Sequence, residues 1–169
     1  MLLSRPTVMH YLEICETTLT VHLLRPYHAG KAREWTHQPK AYLFDTGFVC
    51  HARGWDHMRP EDCGVLWEHL VLDTLLSIED PARVHFWRDH QQREVDFVVT
   101  RGRESVDAYE CKWSALNPDL RNLRAFRAAY PQGRNFVVVP QAADPLPARL
   151  DGLAYELVTP THLMARAGG

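Results

Sequence analysis

The densest apolar stretch of the chain, EDCGVLWEHLVLDTLLSI, predicts a helix from about Glu61 to Ile78, opened by acidic residues that suit a helix N-terminus. Three shorter apolar runs follow, RVHFW (Arg83 to Trp87), EVDFVV (Glu94 to Val99) and VDAYECKW (Val106 to Trp113), and each reads as a strand. A helix from about Pro118 to Tyr130 and a strand NFVVVP (Asn135 to Pro140) come next. Nearer the N-terminus, Pro6 ahead of TVMHYLEICE predicts a first helix with Val8, Tyr11, Leu12 and Ile14 as its apolar positions. Short strands are expected at LTVHLL (Leu19 to Leu24) and KAYLF, the second ending in a tight turn at Asp45 and Gly47. Between them RPYHAGKAREWTHQPK (Arg25 to Lys40) is polar, basic and turn-rich, and reads as a surface loop. This order predicts a mixed α/β domain whose sheet is covered by helices.

The pattern has an anomaly. Asp96 interrupts one apolar run, and Glu110 and Lys112 interrupt the next. Strand alternation puts Val95, Phe97 and Val99 on one face and Glu94, Asp96 and Val98 on the other. In the partner strand Val106, Ala108, Glu110 and Lys112 share a face. A turn at TRGRES centred near Gly102 would set Asp96 opposite about Ala108, with Glu110 as a diagonal neighbour roughly 7 to 8 Å away. Two carboxylates so placed can reach one cation, with Lys112 at its edge. Glu68 adds a third carboxylate, because Val65, Val71, Leu72 and Leu75 place it on an apolar helical stripe. Unpaired there it would cost several kcal/mol, so it requires a metal, a basic partner or an escape at the helix edge.

Composition narrows the partners. The 169 residues make about one domain, and a net charge of -2 provides no global basic field for nucleic acid. Four cysteines without a CxxC pair suit ordinary buried thiols in a reducing cytoplasm. No signal peptide or membrane-length apolar run is present, so a cytoplasmic protein without membrane contact is expected.

The order Glu68, then EVDF with Asp96, then ECK with Glu110 and Lys112 resembles the PD-(D/E)XK nuclease superfamily. YLEICETTLTVHLLRPY, PKAYLFDTGF, GVLWEHLVLDTLL, FWRDHQQREVDFVV and YECKWS together resemble the uncharacterised, nuclease-like C-terminal domain of bacterial and archaeal AAA+ ATPases. The resemblance implies a restriction-endonuclease-like core, a mixed central sheet flanked by helices, over residues 41–169, with residues 1–40 as a remnant of a winged-helix and linker region. Without a GxxxxGK[ST] the chain is expected to be a truncated or split member, with an AAA+ ATPase as partner or missing fused domain. Val95 stands where the superfamily's name motif has proline.

The implied activity is hydrolysis of DNA phosphodiesters with Mg²⁺ or Mn²⁺. Glu68, Asp96, Glu110 and Lys112 would be the catalytic residues. Asp96, Glu110 and the Cys111 backbone carbonyl would hold the metal, and Glu68 would act directly or through a water. Glu94 is an additional, weaker candidate on the face of Asp96. A catalytically silent module that binds protein or nucleic acid is the alternative, since a fold does not fix a function. For nucleic acid, Arg121, Arg124 and Arg127 recur at every third residue of a predicted helix, and Lys31, Arg33, His37 and Lys40 flank Trp35 in the basic loop. Both features also fit a solvated surface. Cys50, His51, His57 and Cys63 match no closed zinc spacing.

Overall fold

The computed structural model describes residues 3–28, 38–114 and 118–168. Ser4 caps α1 (Arg5–Thr17), with Pro6 in its first turn. β1 (Val21–Leu24) pairs antiparallel with β2 (Lys40–Leu43), so the pairing spans residue 40, where a boundary was expected. Asp45 caps α2 (Thr46–Arg53), accepting from the Gly47 and Phe48 amides at 2.7 and 3.3 Å. The predicted turn residues therefore start a helix. Next come α3 (Cys63–Ile78), β3 (Val84–Arg88), β4 (Glu94–Thr100), β5 (Val106–Cys111), α4 (Arg121–Ala129) and β6 (Asn135–Val138). The hairpin of β7 (Leu146–Leu150) and β8 (Leu153–Val158) and the helix α5 (Pro160–Ala167) complete the chain.

Six strands form one mixed sheet in the order β3-β4-β5-β6-β8-β7. β3, β4 and β5 run antiparallel, β5, β6 and β8 parallel, and β7 antiparallel to β8. Helices flank both faces. On one, Trp67, Val71, Leu72 and Leu75 of α3 pack with Leu163 of α5 against Phe97, Tyr109, Phe136 and Val138. The Trp67 indole also donates to the Val138 carbonyl at 3.0 Å, fixing α3 to β6. On the other face Leu123 and Phe126 of α4 meet Trp87, Val98, Val106, Ala108 and Val137. Each such buried side chain contributes about 1.5–3 kcal/mol. The four cysteines are free thiols, and each residue taken whole is only partly covered, although the Cys111 thiol itself is enclosed.

α1 buries none of its residues, and Val8, Tyr11 and Ile14 are exposed. The apolar positions of this helix thus lie outside the core. Among the described residues no helix is long and apolar enough to cross a membrane.

Gly133, just before β6, has a φ of +120°, and a Cβ there would lie 2.1 Å from the Val106 carbonyl oxygen. Gly133→Ala must pry the start of β6 from β5. It is expected to lower unfolding stability by about 2–3 kcal/mol in a urea titration.

Candidate functional site

A β-bulge builds the site. Along β3 the pairing advances two residues, His85 to Trp87, while β4 advances three, Val98 to Val95. The extra β4 residue falls at Asp96 and Phe97. Bulges bend a strand and re-aim side chains. Here alternation breaks: Val95 packs on the α4 side with Val98, while Phe97 and Val99 pack on the α3 side. The expected shared face of Val95, Phe97 and Val99 is corrected accordingly.

The register is also corrected. Phe97 faces Tyr109 and Val98 faces Ala108, so Asp96 lies past the last β4–β5 pair and not opposite Ala108. The reason is a five-residue turn centred on Arg103, not Gly102, closed by the Arg101 amide to the Ser105 carbonyl at 2.8 Å. Beyond Phe97 no further β4–β5 partners follow, and the Asp96 carboxylate accepts the Cys111 amide at 2.7 Å in place of a strand carbonyl. That bond holds Asp96 beside the end of β5.

Glu110 is 5% exposed. Its Oε1 accepts from Lys112 Nζ at 2.9 Å, whereas its Oε2 is buried with no hydrogen-bond partner. Burial pushes the Asp96 carboxyl well above the usual range, and the charges of Glu110 and Glu68 add to this against the Cys111 amide and Lys40. Burial likewise raises the Glu110 carboxyl, against the pull of Lys112. Burial alone would lower the Lys112 ammonium, but Glu110 outweighs it and the net shift is upward. The Cys111 thiol is raised well above its ordinary value by burial and by Asp96, Glu68 and Glu110, so it is no nucleophile at neutral pH.

Glu68 meets a basic partner. Its Oε1 accepts from Lys40 Nζ at 2.9 Å and from the Tyr42 hydroxyl. Lys40 also pairs with Glu94 at 2.6 Å, and Arg88 holds the other Glu94 oxygen. Lys40, predicted as a loop cation, therefore belongs to the site as a β2 residue. The spacing K-x-Y, which puts Lys40 and Tyr42 on one strand face, was the signal available for finding it. Four carboxylates, Asp96, Glu110, Glu68 and Glu94, thus face three cations, Lys112, Lys40 and Arg88. With all four ionised one negative charge is left over, and this crowding adds to the burial that raises the Asp96 carboxyl.

Among the described residues no group of three or more His, Cys, Asp and Glu could hold a metal ion. Asp96 and Glu110 make a two-carboxylate arrangement, which fits Mg²⁺: that ion keeps several waters and takes one or two protein carboxylates. The uncapped Oε2 of Glu110 and the like charge of Asp96 are what such an ion would satisfy.

The arginines predicted for phosphate contact have other partners. Arg121 pairs with Asp119 and Arg124 with Asp151, both at the surface. Arg127 donates to the carbonyls of Tyr130, Gln132, Val106 and Arg134 and to Asn135 Oδ1. Lys31, Arg33, Trp35 and His37 lie outside the described residues. A groove of about 720 Å³ beside Trp67, Pro140 and Thr159 contains none of the site's carboxylates.

The family described as Domain of unknown function (DUF4143) matches residues 63–150, just over half of the chain and all of the stretch carrying Glu68, Asp96, Glu110 and Lys112. A second, Domain of unknown function (DUF8612), matches residues 2–59. Uncharacterized proteins Mb2031c of Mycobacterium bovis and Rv2008c of Mycobacterium tuberculosis are each 28% identical over 142 residues, which is 81% of this chain and 32% of theirs. The chain thus spans about a third of the length of these relatives. A chain in the refined half-complex from the tetradecameric assembly of Thermococcus gammatolerans McrB AAA+ hexamers with bound McrC is 16% identical with a TM-score of 0.42, covering 57% of this chain and 27% of that one.

Proposed function

We propose that this chain, which belongs to the family described as Domain of unknown function (DUF4143), hydrolyses DNA phosphodiesters with a divalent cation, Mg²⁺ or Mn²⁺, held by Asp96 and Glu110 on a restriction-endonuclease-like core. The observation that carries this reading is the unsatisfied, buried Oε2 of Glu110, whose charge is felt by the buried Asp96 carboxyl. Orphaned buried oxygens are rare in folded proteins because each costs about 1–3 kcal/mol, and a cation offsets that cost.

The bound ion would acidify a water molecule and offset charge on the scissile phosphate. Lys112 gives one N–H to Glu110; its others would orient the attacking water and meet the negative charge that develops on the phosphate. The Cys111 amide holds Asp96 in place, and the Cys111 carbonyl would complete the coordination. Glu68 and Glu94 shape the field around the pair through Lys40 and Arg88. Action together with an AAA+ ATPase is proposed from the sequence resemblance.

A second reading, a silent interaction module, draws on the ion pairs that already hold Glu68, Glu94 and Glu110. Fold alone does not decide between the two. Plasmid and single-stranded DNA incubated with Mg²⁺ or Mn²⁺ separate them. Wild type is expected to cleave, and Lys112→Ala to be slower by at least about 100-fold. Equal rates for wild type, Lys112→Ala and Asp96→Ala would identify a contaminant, and an inert wild type would favour the silent module.

A further inference from the structure

We infer that Lys40 is a resident cation, an ammonium that fills the slot between Glu68 and Glu94 and restricts the site to one divalent ion, at Asp96 and Glu110. This deepens the proposed function, on which it rests for the position of that ion. Glu68 is then not a metal ligand. It is the side chain that holds the ammonium.

The geometry is that of a filled cage. An ammonium carries three N–H groups, and Lys40 Nζ has three oxygens around it: Glu94 Oε1 at 2.6 Å, Glu68 Oε1 at 2.9 Å and the Tyr42 hydroxyl at 3.3 Å. Tyr42 donates its own proton to the same Glu68 oxygen, so its lone pair is what faces Lys40. All three lysine hydrogens are accounted for, leaving none to give to a substrate. The Tyr42 and Phe86 rings lie 5.8 and 5.6 Å from Nζ, and add their faces to the enclosure. β2 supplies both Lys40 and Tyr42 from alternate positions, and pairing with β1 fixes that strand against the core. The cage is therefore part of the fold rather than a chance surface contact.

Charge supports a single ion. With Lys40, Lys112 and Arg88 in place, the four carboxylates keep one excess negative charge. One divalent ion overshoots this slightly; two would leave the cluster strongly positive. Replacing the ammonium by an apolar side chain removes a cation and exposes Glu68 and Glu94 oxygens, ligands of the kind that Mg²⁺ and Mn²⁺ accept.

Calorimetric titration with Mn²⁺ of wild type, Lys40→Met and Glu68→Gln tests this, alongside thermal melting of each with and without the ion. Lys40→Met is expected to bind one more Mn²⁺ than wild type, and its melting point is expected to rise more on adding the ion. Glu68→Gln should bind as many ions as wild type, with affinity lowered by no more than about 10–100-fold. Equal stoichiometry in Lys40→Met and wild type would overturn the inference. So would a Glu68→Gln variant that loses Mn²⁺ as completely as Asp96→Asn, and this second arm decides the matter if Lys40→Met does not fold. A wild type that binds no Mn²⁺ beside a Lys40→Met variant that binds one would uphold the resident cation and refute the phosphodiesterase reading.

Discussion

Asp96→Asn is expected to unfold at higher urea concentration than wild type in metal-free buffer, while cleaving DNA at least about 100-fold more slowly, the scale of losing one preorganised electrostatic contact. The two effects share a cause. Asp96 is crowded by protein and by the charges of Glu110 and Glu68, so its ionised form is unfavourable in the folded state. The amide oxygen of Asn can still accept the Cys111 N–H but carries no charge. Because the folded pKa lies above the unfolded one, the folded chain holds a proton that the unfolded chain releases. Stability therefore falls as pH rises from about 3.9 toward the folded pKa, and the penalty is absent below that range. The gain from Asn is expected to be about 0.5–2 kcal/mol near pH 8 and to vanish near about pH 3.5. Urea unfolding at the two pH values measures it. A loss of stability at pH 8 would show that Asp96 is a structural partner and not a strained ligand.

Asp107→Ala is expected to cost about 3–4 kcal/mol, measured by the same unfolding titration. Asp107 is 2% exposed and accepts from the Arg134 amide at 2.8 Å, from Arg101 Nε at 2.9 Å and from Arg134 Nη2 at 3.2 Å. Arg101 also grips Glu79 with both terminal nitrogens and donates to the Tyr109 hydroxyl. Removing the carboxylate strips the Arg134 amide of its acceptor and loosens a link from α3 through β5 to β6. The proposed cleavage site lies toward the other end of β5, so residual folded Asp107→Ala is expected to retain DNA cleavage per folded molecule. A change below about 0.5 kcal/mol would contradict this account.

The sequence legible as fold was the part where side chains carry strong periodic signals. The α3 stripe and the runs of β3, β4, β5 and β6 are buried on sheet or helix faces, and their apolar residues betray them. α2 buries only Val49, too little to imprint a helical period on eight residues. β7, LPARL, is an exposed edge strand containing Pro147, and β8 buries only its two ends, so this hairpin resembled a loop. α5 is written mainly in its cap, where Thr159 and His162 bond each other's backbone and Pro160 starts the first turn.

At the candidate site, Asp96, Glu110, Lys112 and Glu68 stood out because charges in apolar surroundings are conspicuous. Their exact pairing did not, since a one-residue change in the turn centre moves the register by two positions. The bulge at Asp96 has no local sequence mark such as glycine. Lys40 was hidden by sequence distance: its partners Glu68 and Glu94 come from α3 and β4, and only tertiary packing brings them to β2.

The most direct measurement of the central claim is a calorimetric titration of Mn²⁺ into wild type beside Asp96→Asn at pH 8. Saturable uptake of one ion by wild type, lost in Asp96→Asn while that variant remains folded, is the predicted result; equal uptake by both, or none by wild type, would contradict it.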